Sequence, residues 1–270
     1  MYIRHNIAAL NTTRQLTNAN KGIQKNAERL STSLKINHAG DDAAGLSISE
    51  KMRSQISGLD KSAKNANDSI SLIQTAEGAL AEVHNMLIRG RELAVQSAND
   101  TNTDEDREHL QKELDQLLDA VDRIGMDTEF NTKKLLDGSQ SGLVFHLGAN
   151  SSQNIEFSVN EISTNSLNIG GIVINSQNSA NDALSGLDEA AKQVSEQRAH
   201  LGALQNRLGH TITNNDQTGS NLTAADSVIR DANVAEEAMK LTKNEILRDT
   251  MQSIMTHSNV KNDGVLQLLN

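Results

Sequence analysis

From Ile48 onward, apolar positions recur at alternating intervals of three and four: Ile48, Met52, Ile56, Leu59, Ala63, Ala66, Ile70 and Ile73, then Leu80, Val83 and Leu87. This heptad pattern predicts one long coiled-coil-like helix from about Asp42 to Ser97. The polar run NDTNTDED ends it. Thr103 and Asp106 have capping-box spacing, and further acids follow in the first turn. They predict a second helix on Leu110, Leu114, Leu117, Val121 and Ile124, suited to pack antiparallel on the first.

Between residues 125 and 175 the pattern changes period. LVFHL (143–147) and IEFSV (155–159) alternate apolar and polar, and GANSSQN supplies turn residues between them, which predicts a β-hairpin near 143–159. NIGGIVIN is expected to add a short strand. Ser179 and Asp182 repeat the capping-box spacing. A third long helix then carries Leu187, Val194, Leu201 and Leu208, each seven apart, with Leu184, Ala191 and Leu204 beside them. The glycine within Thr211–Asn221 is expected to fray this helix, and a final one to start near Leu222 and run past Ile246 to about Asn259. At the other end, Ile3, Ile7, Leu10, Leu16, Ile23, Leu30 and Leu34 predict a matching amphipathic helix. The apolar faces at both ends are thin. Isolated helices of this kind are marginal in water, so the two ends need each other or neighbouring subunits.

Composition agrees with this mainly α, bundle-like reading. Aromatics make up 1% of the chain, with no Trp, one Tyr and three Phe, so any core is aliphatic. Proline, the strongest helix breaker, is absent. With no cysteine, disulfides and thiolate metal sites are excluded. A formal charge of −10 disfavours nucleic acid as a partner. No apolar run approaches the roughly 20 residues that span a bilayer, so no membrane partner is expected. The start, MYIRHNIAALNTT, lacks the continuous apolar stretch of a secretory signal.

In HAGDDAAG two helical runs meet and adjacent carboxylates lie near a histidine. Adjacent residues at a helix start point about 100° apart, which suits no acid–base dyad across a cleft. A joint explains the residues better: Gly40 in the left-handed conformation ends one helix, and Asp41 or Asp42 caps the next. Elsewhere no HExxH, phosphate loop or nucleophile elbow occurs, and the eight histidines form no ligand pair. The acids Asp104, Glu105 and Asp106 favour a helix N-terminus. No catalytic site, metal or cofactor is expected, and the protein reads as a non-enzyme.

Several long stretches closely resemble bacterial flagellins: NHAGDDAAGLSISEKMRSQISGL (37–59), SLIQTAEGAL (71–80), RELAVQSAN (91–99), TEFNTKKLLDG (128–138), VSEQRAHLGALQNRLGHTI (194–212), NLTAADSVIRDANVAEE (221–237) and VLQLL (265–269). The likeness covers nearly the whole chain and omits the variable outer insertion that many flagellins carry. It implies a self-assembling subunit of the flagellar filament, secreted through the flagellar channel and extracellular, that serves motility. Terminal helices, about 1–40 and 228–270, would pair as a coiled coil and line an inner tube, ordering on assembly. Residues 41–227 would form the bundle and hairpin around it. Seams on Leu10, Leu16, Leu30, Leu34, Ile246, Leu266, Leu268 and Leu269 would be buried only in the tube. Implied partners are further copies of the chain, an export chaperone, the filament cap and hook-junction proteins. A host Toll-like flagellin receptor is implied too, with Arg89, Leu93 and Glu113 at the positions matching the family's contact. The chain departs from the usual family pattern at Ser33, where a glycine is common, at Gly90, and at Asn215, where an aliphatic is common. Two other readings remain open on the sequence: a hook–filament junction protein, and a flagellin-like surface protein that binds a polysaccharide or host receptor.

Overall fold

The structure, a computed structural model, describes residues 6–139 and 142–268, with side chains to Val260. Among these residues five helices and four short strands follow one another: α1 (Ile7–Thr32), α2 (Ala43–Ser97), α3 (Asp104–Asp127), β1 (Glu129–Phe130), β2 (Lys133–Lys134), β3 (Leu143–His146), β4 (Asn154–Phe157), α4 (Gln177–Arg230) and α5 (Val234–Leu268). The fold is mainly α, as the periodicity predicts. Two compact units divide it, Met1–Ser54 with Ser220–Asn270, and Gln55–Gly219.

The central unit is a three-helix bundle with an aliphatic core. On α2 the row Ala66, Ile73, Leu80, Leu87 and Ala94 is buried, and on α4 the row Ala180, Leu187, Val194, Leu201 and Leu208; α3 contributes Leu114, Leu118 and Val121. Both long rows step by seven, so each helix keeps one side turned to its neighbours over many turns. The α3 start is the expected capping box. Thr103 Oγ1 accepts from Asp106 N at 3.2 Å, and the Asp106 carboxylate accepts from Thr103 N at 3.0 Å.

The α4 row continues to Asn215, and α4 does not fray over Thr211–Asn221. Asn215 sits buried in line with the leucines, where its Nδ2 donates to Ser62 Oγ at 2.8 Å and to the Leu147 carbonyl at 3.0 Å. An amide with both bonds made can occupy a core position without the cost of a stranded polar group. Packing here outweighs the roughly 1 kcal/mol by which a helical glycine lowers stability. The cap of α4 also lies three residues earlier than expected. Ser176 and Ser179 exchange backbone-to-hydroxyl bonds at 3.1 and 3.3 Å, in place of Ser179 and Asp182.

β3 and β4 form the expected antiparallel hairpin, with Leu143 opposite Phe157 and His146 opposite Asn154. Phe157 is buried, and its ring centroid lies 5.5 Å from that of Phe145. The strand expected in NIGGIVIN is absent. Side chains take the backbone bonds a partner strand would have made: Gln111 accepts from Ile174 N at 2.6 Å and donates to the Ile172 carbonyl at 3.2 Å, while Ser97 Oγ donates to the Ile174 carbonyl. A second hairpin, β1–β2, turns on Asn131 and Thr132, with φ of 50° and 66°. Two consecutive left-handed residues are the type I′ arrangement, and no glycine is present there to signal it.

In the terminal unit α1 and α5 pair antiparallel. Asn6 Nδ2 donates to Ser258 Oγ at 3.1 Å near one end, and Arg29 Nη1 lies 3.4 Å from Glu237 Oε1 near the other. The α1 residues turned inward are Thr12, Ala19 and Asn26, again seven apart, with Leu16, Ile23 and Leu30 half-buried beside them. α5 begins at Val234, not near Leu222, because the chain breaks helix at 231–233 to pair with the segment after α1. Leu34 and Asp231 form a β-bridge, Lys35 N donates to the Arg230 carbonyl at 2.7 Å, and Ala232 N donates to the Ser33 carbonyl at 3.0 Å.

Candidate assembly surfaces and the helix joint

The joint between α1 and α2 is built by capping. α1 ends at Thr32, and the left-handed residue that closes it is Ser33, with φ of 59°. Gly40, expected in that role, is not among the positive-φ glycines and has open space around it. The helix stops early because Leu34 and Lys35 are extended and paired with 230–231, which leaves Gly40 in a later turn. Ser33 thus holds, with a side chain, the conformation that glycine adopts without strain.

Asp41 and Asp42 divide the work. Asp42 Oδ1 accepts from Gly45 N at 2.9 Å, the N-cap bond that starts α2. Asp41 points the other way. Its carboxylate accepts from the Asn37 and His38 backbone N–H groups, each at 3.3 Å, and meets Lys25 Nζ of α1 at 2.6 Å. Beside it His38 Nε2 lies 2.8 Å from Glu28 Oε1. The loop is therefore fastened back onto α1 by its own carboxylate, and the two acids serve as structural acceptors on opposite sides.

The Lys25 ammonium, followed by the backbone N–H bonds, holds the Asp41 carboxyl at about 2, against an ordinary 3.8. A carboxylate whose pKa is lower in the folded state stabilises the fold above its unfolded pKa. That contribution is lost as pH falls from about 4 towards 2. Replacing Lys25 with Met removes the largest cause, so the Asp41 titration followed by carboxyl NMR is expected to move up towards the ordinary value. An unmoved midpoint would show that Lys25 does not set it.

Of the expected assembly residues, the structure separates two kinds. Leu10 and Ile246 face outward, 54% and 61% exposed. Leu16 and Leu30 belong instead to the half-buried seam between α1 and α5, and Leu34 is half-buried in the joint. The side chains of Leu266 and Leu268, and all of Ile3 and Leu269, lie outside the described residues. Ile7, of the same predicted α1 set, also faces outward, and the sequence alone did not single out Met239, Leu247, Ile254 and Val260, which are exposed on α5. A second heptad row, Met239, Ile246 and Val260, was the available signal.

The three residues aligned with the family's receptor contact also separate. Arg89 donates to Glu113 Oε1 through Nε at 3.0 Å and Nη2 at 2.8 Å, and to Glu92 through Nη1 at 3.0 Å, all at the surface. Leu93, one turn along α2, is fully buried in the core. The surface feature is the ion-paired arginine, and Leu93 holds α2 against the bundle.

Residues 3–141 match the bacterial flagellin N-terminal helical region, and residues 184–269 match the bacterial flagellin C-terminal helical region. The chain is 47% identical over 272 residues to a flagellin of Halalkalibacterium halodurans, the match covering all of both chains. It is 40% identical over 285 residues to the flagellar filament 33 kDa core protein of Treponema phagedenis, again over all of both. The crystal structure of Bacillus cereus flagellin is similar at a TM-score of 0.50 and 32% identity, over 56% of this chain and 88% of that one. The chain belongs to the bacterial flagellin family.

Proposed function

We propose that this flagellin is a structural subunit of the bacterial flagellar filament and polymerises by burying the outward rows of α1 and α5 between copies. The observation that carries this reading is a second apolar row on the outside of the terminal unit. The seam inside the chain buries Thr12, Ala19 and Asn26 with Leu16, Ile23 and Leu30 half-buried beside them, while Ile7, Leu10, Met239, Ile246 and Val260 face out. A lone helix pair normally turns polar residues to that side. Exposed apolar rows of this extent mark an interaction surface, and helices seven residues in period on two sides suit a tube in which each copy has neighbours on both.

In this reading residues 1–40 and 228–270 line the inner tube and 41–227 form the layer around it. The weak intrachain seam offsets little of the entropy of ordering the ends, so α1 and α5 become fully ordered only on assembly. Export through the flagellar channel with a chaperone, addition under a cap and attachment to hook-junction proteins follow from the same role. Identity to flagellins over the whole chain favours the filament over a junction or surface-binding protein. The test is elongation of filament seeds by purified protein, viewed by electron microscopy. Failure to form tubes overturns the reading.

Recognition by a host Toll-like flagellin receptor is proposed for the Arg89–Glu113 surface. Arg89→Ala is expected to weaken signalling in a reporter cell by roughly tenfold or more, the scale of an interface arginine. The fold should be unaffected, since the ion pair lost is solvent-exposed. An unchanged dose response refutes the contact.

A further inference from the structure

The inward row of α1 does not by itself select a register against α5. A shift of one heptad replaces Ala19 by Thr12 or Asn26, residues of modest size that already occupy the same side. Some other feature must select one register. Near the joint, Arg29 Nη1 lies 3.4 Å from Glu237 Oε1, with side chains 18% and 6% exposed. Arg29 Nε and Glu237 Oε2 have no hydrogen-bond partner among the described residues. Lys240 also reaches Glu237 Oε1 at 3.0 Å, but it lies on the same helix and moves with Glu237 in any slip. It carries no register information.

We infer that the Arg29–Glu237 pair sets the register in which α1 and α5 associate. A slip of one heptad in one direction brings Glu237 level with Gly22 and Arg29 level with Arg230. In the other, Arg29 comes level with Asn244, and Glu237 passes the end of α1 at Thr32. Each slip strands a largely buried charge, a far greater penalty than breaking an exposed pair. One further contact fits the same register. Gly22 leaves room for Asn244, whose Nδ2 would lie 2.5 Å from a Cβ at position 22. The residues that slips bring there, Gln15 and Arg29, have long side chains. This assignment rests on the pairing of α1 with α5 within the chain, not on the filament reading.

The chain has no cysteine, so introduced pairs report register cleanly. Asn6→Cys with Ser258→Cys reports the observed register. Thr13→Cys with Ser258→Cys, and Asn6→Cys with Met251→Cys, report slips of one heptad in each direction. Each pair is oxidised in the full chain, as free subunit and in seeded filaments. With Arg29 and Glu237 intact, only the first pair should cross-link. In an Arg29→Leu/Glu237→Leu background, where no charge is stranded and folding is not threatened, slipped products should rise at least about tenfold relative to the native one. The swapped pair Arg29→Glu/Glu237→Arg should restore the native product. Exclusive native cross-linking in the double-leucine protein overturns the assignment. So does absence of the native product with Arg29 and Glu237 intact, whether or not seeds elongate.

Discussion

Ile246→Asp is expected to abolish elongation of filament seeds while leaving the subunit folded. Ile246 is 61% exposed, so a carboxylate there is solvated in the free subunit. Substitutions at such positions change stability by about 0.5 kcal/mol or less. In the proposed tube the same position is buried in every copy. Stranding an unpaired charge in such an interface costs about 3–5 kcal/mol, which at about 1.4 kcal/mol per decade raises the concentration needed for growth by at least a hundredfold. Seeded growth, scored by electron microscopy, reads the loss, and far-UV circular dichroism melting confirms the fold. An Asp at Lys243, an exposed polar position on the same helix, serves as control. Normal elongation by Ile246→Asp would remove the outward row from the assembly surface.

The second large effect is expected inside the bundle, at Gly125→Ala. A Cβ at Gly125 would sit 2.0 Å from the Ile162 carbonyl oxygen and 3.2 Å from its carbon. Backbone cannot swing aside as a side-chain tip can. The opposing segment is also fastened on both sides of the contact. Ile162 N donates to the Leu136 carbonyl at 2.9 Å, and Asp122 of α3 accepts from Thr164 N at 2.7 Å and Thr164 Oγ1 at 2.8 Å. Relief of the clash must stretch one of these bonds. Alanine ordinarily gains about 1 kcal/mol over glycine inside a helix; here overpacking of about 1–3 kcal/mol outweighs it. Gly202→Ala on α4, with nothing within 4 Å of its Cβ, should instead stabilise the bundle. Denaturant unfolding of the full-length chain should move in opposite directions for the two variants. Equal midpoints would contradict the close packing of α3 on the 162–164 segment.

Where the sequence reading and the structure part, the partner lies far away along the chain. The heptads of α2 and α4 state their own buried rows, because a helix turns the same side inward every seven residues whatever it packs against. The break at 231–233 is different. No proline or glycine marks it, and it exists because Ser33–Lys35, two hundred residues earlier, take its backbone bonds. Asn215 reads as a polar interruption until Ser62 and the Leu147 carbonyl come to meet it. NIGGIVIN reads as a strand because its residues favour extended backbone. At Ile172 and Ile174, however, Gln111 takes its backbone bonds in place of a neighbouring strand.

The same division applies to the surfaces proposed to act. Local order along the chain determined the mainly α class, the capped starts of α2 and α3, the hairpin at 143–159 and the family, since periodicity, caps and motifs are written in consecutive residues. Only the tertiary structure decided which side of each terminal helix faces its partner. The end helices carry two rows, and nothing local distinguishes a row that packs within the chain from one left for another copy. The pairing of α1 with α5 takes the side that carries Ala19, Leu16 and Leu30 and leaves Leu10 and Ile246 outside. Tertiary contacts also turn Asp41 back onto Lys25 and, within the bundle, bury Leu93 in the core. Burial depends on what arrives from elsewhere in the chain, and a single stretch of residues does not contain that information.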